Sequence, residues 1–160
     1  LVTILLSVIG MGLYSLVHHR LDMSGFNGLT FFIVFFVLIV VHELIHGFTW
    51  SRFTPNHFKD ISFGFMINSL TPYCTCRAPL KKGPYILGTA MPLIILGILP
   101  MIIGIIAGNM NFLLMGILQS ASAMGDVMII QKVLAFKSSA KDIVYMDHPT
   151  EAGLVIFERN

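Results

Sequence analysis

The sequence has 160 residues, of which 56% are hydrophobic and 11% charged, and its formal net charge is +2. Soluble globular domains carry roughly 25% charged residues, so this deficit, with a mean hydropathy of +0.84, points to the bilayer. The small net charge and the lack of arginine–aromatic interleaving exclude a nucleic-acid partner.

Residues 1–17 form a first apolar run, slightly short of the roughly 20 residues of a full span, as expected if the sequence starts inside a longer segment. His18-His19-Arg20 follows, not a small-residue cleavage site, so the run reads as a membrane segment and not as a signal peptide. Residues 18–28 make a polar connection. Residues 29–50 form the second segment, without any charge from 29 to 41. Trp50 and Arg52 suit a membrane interface, and the helix is expected to end before Pro55.

Residues 54–84 differ in character. Bulky apolar residues alternate over 61–68, and 73–77 is again strand-like, with turn chemistry between them, so this region predicts a β-hairpin. Cys74 and Cys76 lie one residue apart and read as reduced thiols. Residues 85–107 form the third segment, with Pro92 and Pro100 inside it and a small-xxx-small pattern from Gly104 to Gly108. Residues 112–136 form the fourth segment and carry Asp126. Met110, Met115, Met124 and Met128 read as packing residues and not as a copper site. Residues 138–160 form a polar tail with two short strand-like stretches, 143–146 and 154–157.

The fold class expected is therefore membrane α-helical. It has about four transmembrane helices, a β-hairpin between the second and third, and a short cytoplasmic tail with β-strands. Residues 1–136 would be one membrane-embedded domain and 137–160 the tail. Arg52, Lys59, Arg77, Lys81 and Lys82 follow the second segment, and Lys137 and Lys141 follow the fourth. The positive-inside rule then puts hairpin and tail in the cytoplasm.

The chemistry concentrates in His42-Glu43-Leu44-Ile45-His46. Two imidazoles four residues apart lie on one helical face and can share a metal ion, while Glu43 can act as base on water. Ionisable groups are costly inside a membrane segment and tend to be functional there. A catalytic zinc takes three protein ligands and keeps one position open. Asp126, the one carboxylate within the fourth segment, is the leading third ligand. His57, Asp60, His148 and Glu151 are rivals in polar regions.

These residues resemble the site-2 protease type of intramembrane zinc metalloprotease, and more closely a family of small bacterial membrane proteins classed as zincin peptidases. The resemblance runs from about residue 35 to 126: His42, Glu43 and His46 on one helix, a hairpin over 61–77, a helix with Pro92, then Asp126. Asp126 stands in Met124-Gly125-Asp126-Val127 where the larger family has Leu-Asp-Gly, and the residues before Pro92 lack that family's usual asparagine. The resemblance implies a zinc-dependent peptidase in the bacterial cytoplasmic membrane, with its active site toward the cytoplasm. It would be in contact with lipid and would act on a membrane-protein or peptide substrate. His42, His46 and Asp126 would hold Zn2+, Glu43 would be catalytic, and Phe65, Ile67, Asn68, Tyr73 and Pro92 would contact substrate. A metal-binding regulator without peptidase activity, and a membrane zincin with another third ligand, are the alternatives.

Overall fold

The computed structural model describes residues 2–20, 23, 25–67, 70–148 and 153–159. Among these residues, six α-helices and two β-hairpins follow in the order α1 (Val2–His18), α2 (Gly28–Ser51), β1 (Ile61–Met66), β2 (Thr71–Cys76), α3 (Lys82–Pro92), α4 (Leu99–Ala107), α5 (Met110–Ser122), α6 (Met124–Ala135), β3 (Asp142–Asp147) and β4 (Leu154–Arg159). A π-helical stretch, Leu93–Ile98, joins α3 to α4 directly after Pro92. Proline has no N–H to donate, and a wider turn beside it accommodates the lost bond. The whole stretch Lys82–Ala107 remains one apolar rod of 26 residues.

Among the described residues, two helical stretches are long and apolar enough to cross a membrane, Gly28–Ser51 and Lys82–Ala107. α1 is apolar but only 17 residues long. The expected fourth segment is interrupted at Ala123, and α5 and α6 reach spanning length only when taken together. The cause lies in the small hydroxylated run before the break. Ser120 Oγ donates to the Gly116 carbonyl and Ser122 Oγ to that of Gln119, both at 2.8 Å. Such back-bonding competes with the main-chain ladder and bends helices.

The chain forms two compact units. The first comprises residues 1–39 and 92–124. Its core is Tyr14, Met101, Met110 and Leu113. The turn between α4 and α5 is built from Gly108, left-handed at φ 65°, and from Asn109, whose side chain accepts from the amides of Asn111 and Phe112. A left-handed residue after a helix is normally glycine, and asparagine is a strong N-cap. Tyr14 Oη donates to the Gly108 carbonyl at 2.9 Å and pins α1 to this turn. Of the two glycines in the small-xxx-small pattern, Gly104 is the one that permits close approach: a Cβ there would lie 2.9 Å from Leu113 Cα.

The second unit comprises residues 40–91 and 125–160. Trp50, Ile61, Cys76, Ala78, Leu80, Tyr85, Val133 and Tyr145 form its core. β1 and β2 pair antiparallel with Phe63 opposite Cys74 and Gly64 opposite Tyr73, and β3 and β4 pair with Tyr145 opposite Ile156. Leu80 and Tyr145 exchange backbone hydrogen bonds at 2.8 Å in each direction, tying the second hairpin to the strand that leaves the first.

Gly104→Ala should lower stability by about 1–3 kcal/mol through overpacking against Leu113. Gly12→Ala, inside α1 where a Cβ meets nothing within 4 Å, should instead raise stability, by about 0.5–1 kcal/mol, through helix propensity. Thermal unfolding of both variants in the same detergent measures the difference.

Candidate metal centre

α2 carries the His-Glu-x-x-His motif in its second half, and α6 carries Asp126 in its first turn. Helical spacing stacks the two imidazoles one turn apart, with ring centroids 4.9 Å from each other. Asp126 bridges them. Its Oδ2 lies 3.0 Å from His42 Nε2 and its Oδ1 3.3 Å from His46 Nε2. One ligand atom from each residue falls within 4.8 Å of the others, and no second such group forms among the described residues. His42 is 7% exposed and His46 4%, while the Asp126 side chain is 16% exposed.

The surroundings fix the ligand atoms. His46 Nδ1 lies 2.8 Å from the carbonyl of Gly88 on α3. A carbonyl only accepts, so Nδ1 carries the proton and Nε2 presents its lone pair toward Asp126. A ligating histidine ordinarily donates its other nitrogen in this way. The His46 ring also stacks on the Trp50 indole, with centroids 5.1 Å apart and planes at 14°. Trp50 stacks in turn on Tyr85 and Tyr85 on Tyr145. Trp50 Nε1 and Thr89 Oγ1 both donate to the Tyr85 carbonyl, at 3.2 and 2.8 Å. Gly88 lies flat against the indole, where any Cβ would collide with Trp50.

Glu43 is half-buried beside the three donors. The strand register explains what holds it. The Arg77 amide donates to the Asp60 carbonyl at 2.8 Å, so Asp60 and Arg77 form a hydrogen-bonded pair. The alternation of antiparallel pairs then turns the amides of Cys74 and Cys76 away from β1. Both outward amides meet carboxylates: Cys74 N–H meets Glu43, and Cys76 N–H donates to Asp147 Oδ2 at 2.7 Å. The other Asp147 oxygen accepts from Tyr85 Oη, also at 2.7 Å. Burial nonetheless pushes the Asp147 carboxyl above its usual range. Burial also raises both thiols, Cys76 to about 11, so these free cysteines stay protonated at neutral pH.

The other residues singled out in the sequence fall elsewhere. Phe65 and Ile67 are exposed at the outer end of β1. The Tyr73 ring lies over Gly64, its partner across the hairpin. Pro92 is buried in the helical rod and belongs to the first unit. His57 donates to the Ser51 carbonyl at 3.0 Å, and Asp60 accepts from Asn56. His148 belongs to the turn of the second hairpin, where its amide donates to the Gly153 carbonyl. Asn68 and Glu151 lie outside the described residues. The sequence reading missed Tyr85, Gly88 and Asp147. Only the last had a signal, as an acid between two strand-like stretches.

Two imidazole nitrogens and a carboxylate oxygen are a donor set that zinc takes in catalytic sites, with a position left for water. The oriented Nε2 of His46 fits that use. A family model described as "Putative zincin peptidase" matches residues 35–141. The chain belongs to that family. The match contains the two histidines, Glu43, the first hairpin, α3 and Asp126, and it implies a zinc-dependent peptidase. Neither the search of curated proteins nor that of solved structures gave a match.

Asp126→Ala should weaken Zn2+ binding by more than about 100-fold, because even orienting partners of ligands are worth about 10–100-fold. His57→Ala should bind Zn2+ as wild type does. Metal content after dialysis against a graded chelator separates the two. Gly88→Ala should displace the indole and cost about 10–100-fold in Zn2+ affinity. Trp50 is the sole tryptophan and stacks on His46, so its fluorescence reports the titration.

Proposed function

We propose that this zincin-family chain is a zinc-dependent peptidase that hydrolyses peptide bonds of membrane-associated polypeptides, within the membrane or at its interface. The observation that carries this reading is the convergence of His42, His46 and Asp126 with Glu43 alongside. All of these lie on or beside apolar helices. The family supplies the peptidase class. The two long apolar helices support a membrane setting, in which α1 and the α5–α6 pair would bring the number of membrane segments to about four. The lysines and arginines after α2 and α6 support a cytoplasmic placement of the site, and the resemblance to small bacterial membrane proteins is what assigns the membrane to the bacterial cytoplasmic one. The order of motif helix, hairpin, proline-containing helix and aspartate supports likeness to site-2 proteases.

Zn2+ held by His42, His46 and Asp126 would supply Lewis-acid polarisation of water and of the scissile carbonyl. Glu43 takes the proton of the attacking water and returns it to the departing amine. The Cys74 amide interacts with the Glu43 carboxylate. A substrate helix has its carbonyls engaged and must unwind before attack. The outer edge of β1, where Phe63 and Phe65 turn their backbone groups away from β2, can hold an unwound segment by strand addition. Phe65, Ile67 and Tyr73 would be the hairpin residues in contact with it.

Glu43→Gln should retain the zinc stoichiometry of wild type and lose about 10²–10⁴-fold in cleavage rate, the usual contribution of a positioned acid–base group. Cleavage of a library of transmembrane peptides in detergent measures it. Undiminished cleavage by the variant would remove Glu43 from the mechanism. Absence of cleavage by zinc-loaded wild type across the library would remove the peptidase reading.

A further inference from the structure

The second unit carries a groove of about 580 Å³ between the start of α3 and the segment after α6. Four lysines border it, Lys81 and Lys82 from one segment and Lys137 and Lys141 from the other. Asp142 is the one carboxylate in its lining among the described residues, and Lys81 is paired with it. The other three cations, Lys82, Lys137 and Lys141, outnumber that single acid in the described lining.

Two further features shape the groove. Gly83 lines it in the first turn of α3, and a Cβ there would meet nothing within 4 Å. No acidic side chain stands in that first turn; Pro84 has no N–H and the Tyr85 amide donates to the Lys81 carbonyl, so the helix start offers an anion at most the Lys82 and Gly83 amides. Phe136, Ile143 and Tyr145 give the groove apolar walls. Its location is equally specific. Lys82 opens the apolar rod Lys82–Ala107, and the lysines after α6 follow the apolar pair that ends at Ala135. If these helices span the bilayer, the groove stands at headgroup level. A bias of lysines toward one side of a membrane requires basic residues near these ends. It does not require that lysines from two distant segments border one cavity around a helix terminus and an apolar wall.

We infer that this groove binds the phosphate of an anionic phospholipid headgroup, with Lys82, Lys137 and Lys141 as its cationic contacts. Cationic grooves beside membrane helices suit such headgroups. The apolar wall suits the glycerol and upper acyl carbons, which a free phosphate lacks. This site is separate from the metal centre and does not depend on peptidase activity.

The test titrates the detergent-solubilised full chain with short-chain phosphatidylglycerol and, separately, phosphatidylcholine, and counts retained lipid by native mass spectrometry. Wild type should retain phosphatidylglycerol selectively. The combined variant Lys82→Gln, Lys137→Gln, Lys141→Gln should weaken that binding on the order of 100-fold, about fivefold per lysine. Arginine at the same three positions should restore it, which separates lost charge from lost folding. The pair Lys59→Gln, Lys132→Gln, exposed and outside the groove, should leave it within about twofold of wild type, well inside the fivefold worth of one contacting lysine. Equal losses in both glutamine sets, equal retention of phosphatidylcholine, failure of the arginine variant to rescue, or displacement by equimolar inorganic phosphate would each overturn the assignment.

Discussion

Four ionisable side chains, His42, Glu43, His46 and Asp126, must be accommodated on apolar helices, and the packing of the second unit follows from that demand. A buried polar group without a partner costs several kcal/mol in apolar surroundings. The unit meets the cost by local pairing. Asp126 lies against both imidazoles, the Gly88 carbonyl takes the second nitrogen of His46, and the Cys74 amide reaches Glu43. No buried side-chain nitrogen or oxygen among the described residues lacks a hydrogen-bond partner. A site paired this fully holds its donor atoms in place before any metal arrives, and preorganisation of that kind lowers the cost of binding.

The constraint extends outward through aromatic rings. His46, Trp50, Tyr85 and Tyr145 form a continuous stack that runs from the metal donors to β3. Tyr85 joins its parts, since its carbonyl fixes the indole, its ring supports it, and its hydroxyl binds Asp147. Asp147 in turn closes the outward amide of Cys76, while Glu43 takes that of Cys74. Two carboxylates thus cover the exposed donors of one strand edge. An uncovered edge invites unplanned pairing. Among the described residues, the free edge of the first hairpin is left on β1, the strand that carries Phe63 and Phe65.

What could be read from the residues was whatever has a period. The four-residue spacing of His42 and His46 implies one helical face. The alternation over 61–67 implies a strand, and the acid in an apolar run marks Asp126 as a residue in need of partners. The hairpins formed within a residue or two of the expected stretches. The contacts that hold the site were not legible, for a physical reason. The Gly88 carbonyl is a backbone atom, and any residue has one. Its role depends on how closely α3 approaches the indole, which glycine permits but does not announce. The link between Tyr85 and Asp147 joins positions 62 apart in the chain with no local pattern to mark it.

The interruption at Ala123 was also missed, and it bears on Asp126. An unbroken fourth helix would place Asp126 in a helix interior, where every amide is engaged. The break starts a new helix at Met124 and puts Asp126 in its first turn. There the unsatisfied amides and the helix dipole favour negative charge by typically 0.3–1 kcal/mol, more when partly buried. The same serines that suggested close helix packing thus have a second effect through their bonds to backbone carbonyls. They end one helix so that an aspartate can begin the next. A carboxylate among apolar residues is easier to keep ionised at such a terminus than in mid-helix, and an ionised carboxylate is what a divalent metal requires of it.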